Sequence, residues 1–444
     1  MVETDRRPVE RIDADILVAG GGAAGVAAAV TAARSGASVV LVERYGFCGG
    51  GAVAGLSGTI CGLYEATDRM ERAPQKVVFG FVDDFIAEME KRGGLTDPIR
   101  YGKTWTRVHD PLIWREAADT LLSDAGVRVI YHAEILAALC EGQVLEGALL
   151  STVTGRLEIR AKTCVDATGD GALSAMAGLE TYMGDGHTVQ NPTMVFRMLN
   201  ADLDKFQHTY GSDSIMPVEV SELIAKADGN GYSLPRRKIW IFPTTRPSEL
   251  MCNCTRIVGE DGRELNATLW RDFSEAELQG RRQVREYARF FRDTLAGCEN
   301  TVVNDTGVQV GVRQTRQVRG RATLTNADVV TGAKFADGIA RSPWPIELHS
   351  GDKPRVEWLL EDWYEIPFGC FVPPASEGLL TAGRCLSAEH EAVASARVTA
   401  QCFSYGHAIG HAATIAARDR VSVHAIDGRD VRLLLNQDGA GLGN

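Results

Sequence analysis

Three glycines and one acid carry the strongest chemical signal in this chain. Gly20, Gly22 and Gly25 stand in G-x-G-x-x-G spacing, and Glu43 closes the apolar run that follows. Gly20 permits a tight turn, Gly22 lets a pyrophosphate approach the backbone, and Gly25 lets a helix pack on a strand. Ala23 and Ala24 open that helix, whose free N–H groups and positive dipole end suit phosphate. Glu43, with Arg44 beside it, is placed to accept hydrogen bonds from a ribose. A bare glycine motif also occurs in ordinary βαβ turns. Here strand, turn, helix, strand and acid fall in one unit, which points to a dinucleotide.

A second group of residues could move protons or hold anions. His349 follows Trp344-Pro345-Ile346-Glu347-Leu348, a stiff extended loop, and is an acid–base candidate. His390 sits in Ser-Ala-Glu-His-Glu-Ala, between the last apolar strand and its helix, and is another. Arg313 and Arg316 are three apart; on an extended segment they face opposite sides, so one can clamp a carboxylate or the cofactor. Thr168, Gly169 and Asp170 close a buried strand at its carboxyl end, where ligands gather in open α/β sheets. Gly383 and Arg384 end the last strand, and Arg397 is an anion contact at the start of the final helix.

No metal site is expected. His407 and His411 share one helix face but have no third ligand at an obvious spacing, and Cys252-x-Cys254 has no partner pair. Cys48, in the loop after Glu43, reads as a small buried thiol. There is no G-x-S-x-G and no P-loop.

These residues need positioning elements. Asp15–Ala19 and Ser38–Val42 read as strands around an alanine-rich helix ended by Gly36. Helices follow at Val77–Lys91 and Pro111–Ser123, then a strand at Val127–Tyr131 and a hairpin about Gly142. Strands are expected at Arg156–Ala161, Thr163–Thr168 and Gly378–Gly383, and one helix over Ala394–Ala417. Residues 191–370 change character, with antiparallel runs and a charged helix at Ser274–Leu295. The expected fold class is α/β, a Rossmann-like domain with an inserted α+β substrate domain. Its parts are residues 13–190 (with inserted helices in 62–125), the insertion at 191–370, a closing strand and helix in 371–420, and a disordered tail in 421–444.

The chain has 444 residues, 45% hydrophobic and 24% charged, with a net charge of −11. That balance suits a soluble enzyme and argues against a nucleic-acid surface. Ten cysteines without an even framework suggest reduced thiols in the cytoplasm. Ile16–Ala33 carries no charge until Arg34, but its glycines, alanines and mixed flank argue against a membrane span.

Five stretches together resemble the FAD-dependent oxidoreductases of the glutathione-reductase structural class, in the fumarate-reductase-like branch. They are ILVAGGGAAGVAAAVTAARSGASVVLVE, GFCGGGAVAG with Gly49 and Gly50, CVDATGDGALSAMAG, VGVRQTRQVRGRATLT, and the closing GLLTAGRCLSAEHEAVASARVTAQCFSYGHAIGHAA. The resemblance implies FAD as cofactor and hydride transfer between flavin N5 and a small organic substrate, one bearing a carboxylate if the arginines are used. His390 would then lie near the flavin ring. An external electron acceptor or donor is required, and a homo-oligomer remains open. A redox-neutral isomerase or hydratase, or a partner-dependent electron-transfer flavoprotein, are the alternatives. One G-x-G-x-x-G unit in the right context argues against a separate nicotinamide domain.

Overall fold

A computed structural model describes residues 10–186, 188–349 and 354–443. Its centre is a seven-stranded sheet. Strand β1 (Glu10–Ala19) pairs in parallel with β2 (Val39–Val42), and β2 with β3 (Arg128–Ile130). On its other side β1 pairs in parallel with the long strand β6 (Gly155–Asp166). The hairpin β4 (Glu134–Glu141) and β5 (Val144–Thr152) runs antiparallel against the first half of β6. The closing strand β7 (Leu379–Thr381) runs parallel to its last three residues, Cys164–Asp166. The two strands expected at 156–161 and 163–168 are therefore one. The ten-residue β1 supplies ladder partners along almost its whole length.

Helix α1 (Ala23–Arg34) covers one face of this sheet, and α2 (Phe81–Glu90) and α3 (Pro111–Asp124) pack beside it. Nearly every residue of α1 is buried because both sides are covered. The expected closing helix is two helices, α5 (His390–Ala396) and α6 (Thr399–Asp419), preceded in the chain by the charged helix α4 (Trp270–Thr294). Helix α6 lies on α1 backbone to backbone. A Cβ at Gly406 would come within 2.3 Å of Ala24 O, and one at Gly410 within 2.6 Å of Ala28 O. Four-residue glycine spacing is what lets two buried helices approach so closely.

The break between α5 and α6 has a local cause. Val398 is extended, and the loop at 59–61 takes over the bonds of the missing turn. Thr399 Oγ1 donates to Thr59 O at 3.1 Å and Ala400 N–H to Cys61 O at 3.1 Å.

The middle region builds its own core from residues 194–310. A four-stranded antiparallel sheet in the order Trp240–Pro243, Leu250–Asn253, Phe196–Leu199, Val302–Thr306 packs on α4. Residues 324–372 do not join it. Their apolar side chains, among them Ile339, Ile366 and Phe371, pack into the core around α1 and α6. The second core thus ends near Val312, short of the expected 370. Residues expected as a disordered tail instead form α7 (Gly428–Gln437), whose Val431 and Leu435 are buried in the first core. Among the described residues no helix is long and apolar enough to cross a membrane.

Candidate active site

One cavity of about 370 Å³ runs from the β1–α1 turn to the middle region. Its first half is made by the glycine motif. Gly20 has φ +103, and a Cβ there would lie 2.5 Å from Ala167 O. Gly25 does not line the cavity; a Cβ on it would strike Gly20 O at 1.9 Å. Its role is packing of helix on strand. Gly22 begins α1 with no side-chain cap. A Cβ on Gly22 would meet nothing nearer than Gly50 Cα at 4.0 Å, and one on Gly51 nothing within 4 Å. The space before these backbones is open, and uncapped helix N–H groups face it. That cradle fits a pyrophosphate.

Ala23, Ala24, Arg44, Gly49 and Gly50 line the same half. Glu43 lines it too, nearly buried, with Oε2 accepting from Gly21 N–H at 2.7 Å and Oε1 from Tyr45 N–H at 3.0 Å. Burial raises its pKa against these hydrogen bonds. Arg44 donates to Gln309 Oε1 at 2.9 Å. Cys48 is fully buried, does not line the cavity, and has its thiol pKa pushed up by burial. It behaves as the small buried thiol expected.

Thr168, Gly169 and Asp170, with Gly383 and Arg384, form the cavity's middle. Asp170 accepts from Arg384 Nη2 at 2.7 Å and Thr315 Oγ1 at 2.8 Å. Burial opposes its charge, but Arg384, Thr315 and Arg44 outweigh it and hold its pKa below the usual range. The loop after β6 and the loop after β7 are thereby tied together.

The far half sets two lining guanidiniums, Arg313 and Arg397, against one carboxylate, and a third, Arg236, reaches the lining His349 from outside the lining. Arg313 donates to Asn191 O at 2.7 Å and Asn253 Oδ1 at 3.3 Å. No Asp or Glu among the described residues accepts from it. Arg397 donates to Gln190 Oε1 at 3.3 Å, and its Nε has no partner among the described residues. Arg236 reaches Asn253 Oδ1 at 3.3 Å and His349 Nδ1 at 3.2 Å. Burial, then repulsion from Arg236 and Arg397, pushes the Arg313 pKa well down. The carboxylate is Glu347, which accepts from Tyr101 O–H at 2.6 Å and lies 3.6 Å from His349 Nε2. Burial favours its protonated form; His349, Tyr101 and Arg397 outweigh that and keep it ionised. His349 is held neutral, first by burial and then by Arg313 and Arg236.

The structure brings Arg313, His349 and Arg397 to one place. It does not bring His390. That residue opens α5, does not line the cavity, and faces Gly184 and the carboxylates of Glu264 and Asp185. The reason is the helix break: α6, whose first residues line the cavity, begins nine residues further on, at Thr399. Arg316 contacts Asp170 O at 3.5 Å, away from Arg313, although the segment is irregular and not a strand. Tyr101, Arg236, Asn253 and Glu347 were not singled out. Tyr101, Arg236 and Asn253 meet partners 246, 113 and 60 residues away, and only Glu347, two residues before His349, gave any local signal.

Residues 15–435 match the family model described as FAD dependent oxidoreductase. The chain belongs to that family. Its cofactor is FAD, and the open glycine cradle with its uncapped helix start fits the pyrophosphate of that group. Among solved structures, this family member resembles p-nitrophenol 4-monooxygenase from Pseudomonas putida at 11% identity and a TM-score of 0.52, covering 98% of this chain and 88% of that one. A geranylgeranyl bacteriochlorophyll reductase-like protein from Thermoplasma acidophilum is similar at 13% identity and a TM-score of 0.48, covering 96% and 92%. At such identities the likeness concerns the fold. No protein of curated function matches the sequence.

Proposed function

We propose that this FAD-dependent oxidoreductase oxidises or reduces a small organic substrate that carries a carboxylate. One observation carries the reading: Arg313 and Arg397 line the far half of the cavity beside the carboxylate of Glu347, and among the described residues neither donates a hydrogen bond to an Asp or Glu. Buried charge without a partner is costly. A substrate carboxylate supplies a charged acceptor for the two lining guanidiniums, Arg313 and Arg397.

FAD, when bound, supplies two-electron chemistry at its N5. The protein's residues orient the substrate and manage its proton. Arg313 and Arg397 fix the carboxylate end. His349 presents a protonated Nε2 to Glu347, so the Glu347–His349–Tyr101 group is where a substrate proton is taken up or released. The motif order supports the fumarate-reductase-like branch of the family, and ten unpaired cysteines support a reducing compartment such as the cytoplasm.

Anaerobic mixing with paired probes tests the reading. Acetate, pyruvate, lactate and benzoate are each compared with the corresponding amide, in both flavin oxidation states. At least one acid is expected to perturb or bleach the flavin while its amide does not. Amides acting as well as acids would overturn it.

A further inference from the structure

We propose that His407, His411 and Asp438 bind a divalent transition-metal ion of the zinc class, which pins the C-terminal helix to the core. His407 and His411 lie one turn apart on the same face of α6. Their Nε2 atoms reach the same oxygen, Asp438 Oδ2, at 2.9 and 2.8 Å. The three ligand atoms all lie within 4.8 Å of one another. Asp438 caps the end of α7, which is why the sequence offers no third ligand near the histidines.

The donor set is two imidazoles and one carboxylate, which suits zinc and its neighbours better than magnesium or calcium. Both rings are buried, at 4% and 9% exposure, while the Asp438 side chain is 46% exposed. An ion therefore has an entry side and room there for a water as fourth ligand. Metal–ligand bonds near 2.0–2.1 Å put tetrahedral ligand atoms about 3.3 Å apart, so the ion parts the present contacts by roughly half an ångström.

The ring nitrogens behind the ligands must be protonated when the ion binds. His411 Nδ1 lies 3.5 Å from Ser35 Oγ, which can accept that proton and orient the ring. His407 Nδ1 faces Phe81 N–H at 3.4 Å, a long and weak contact that the ion-bound form gives up. In each ring the proton moves from Nε2 to Nδ1, so no net proton is released. Asp438 is already ionised. Burial works against its charge, but hydrogen bonds from both histidines outweigh it.

The site is separate from the cavity. His407 follows Thr399 by eight residues, about 12 Å along α6 at 1.5 Å per residue. The ion ties α7 to α6 and to the end of α1, a structural role.

The FAD-loaded protein is dialysed against chelator, then equilibrated with Zn²⁺, and metal content and melting temperature are read. Wild type should hold one zinc per chain through dialysis into metal-free buffer and melt several degrees higher with zinc than with magnesium. His411→Ala and Asp438→Asn should keep FAD and lose both effects, while His424→Ala keeps them. Wild type that holds no zinc, or variants that hold as much as wild type, would overturn the proposal. Should a variant not fold, wild type decides alone: a melting temperature unmoved by zinc rejects the site.

Discussion

Arg236 donates a hydrogen bond to Nδ1 of His349 across 3.2 Å. A guanidinium has no lone pair, so Nδ1 is the acceptor and a neutral His349 carries its proton on Nε2, toward Glu347. The tautomer is fixed by a residue 113 positions away in sequence. Nitrogen-15 NMR of histidine-labelled protein should show, across pH 6–8, a non-titrating Nε2–H imidazole that is missing from His349→Ala. Arg236→Gln removes both the donor and a repelling charge. His349 should then titrate closer to the ordinary histidine value near 6.5. A His349 that is cationic at neutral pH in wild type would contradict this geometry.

Glu43 is expected to contribute to the affinity for FAD. Replacing it with Ala removes the acceptor of the Gly21 and Tyr45 N–H groups and the acceptor offered to a ribose. FAD binding should weaken by roughly 1.5–3 kcal/mol, in the range for hydrogen bonds to a charged group. Fluorescence titration of the apoprotein checks it, and an unchanged affinity would argue that the adenosine end sits elsewhere.

His390 should matter little to chemistry. Its place outside the cavity predicts that His390→Ala changes flavin reduction by less than about threefold. His349→Ala should slow it by about 10²–10⁴-fold, the span of general acid–base catalysis. Stopped-flow reduction of the two variants decides between them. A large defect in His390→Ala alone would restore the role its sequence position suggested.

The reversal at His390 shows where sequence reading stops. The glycine motif was legible because its partners are local: Gly20, Gly22, Ala23, Ala24 and Glu43 fall within one βαβ unit and its turns dictate their backbone. The loops after β6 and β7 were legible because open sheets gather ligands at strand ends. The helix break at Val398 was not, since it is held by the carbonyls of Thr59 and Cys61, over 330 residues away. Arg236 and Tyr101 were invisible for the same reason: neither carries a motif, and each is defined by the side chain it meets. The amphipathic spacing of Val431 and Leu435 was readable, but the glycines beyond it suggested disorder.

Acid should destabilise the protein through buried histidines. His109 is almost completely buried, neither ring nitrogen has a partner among the described residues, and burial pushes its pKa down to about 3. His349 is depressed as well, by burial first. A histidine depressed in the fold takes up its proton in the unfolded chain first. Its stabilising contribution is complete above the unfolded value near 6.5 and is lost as pH falls from there toward the folded value. For His109 the loss approaches about 1.4 kcal/mol per pH unit well below 6.5 and amounts to roughly 1 kcal/mol between pH 6.5 and 5.5. Urea unfolding at pH 7.5 and 5.5 should show the decline, and His109→Phe should make it shallower. Equal slopes in the two proteins would mean that His109 is solvated.

The most direct test is an optical titration of Arg313. Oxidised wild-type enzyme, loaded with FAD, is titrated with the carboxylate that most strongly perturbs its flavin spectrum, alongside Arg313→Gln. Loss of a charged hydrogen-bonding partner should raise the dissociation constant by about 10–150-fold, equivalent to roughly 1.5–3 kcal/mol, with FAD content unchanged. Equal dissociation constants for wild type and Arg313→Gln would contradict a cavity built around a substrate carboxylate.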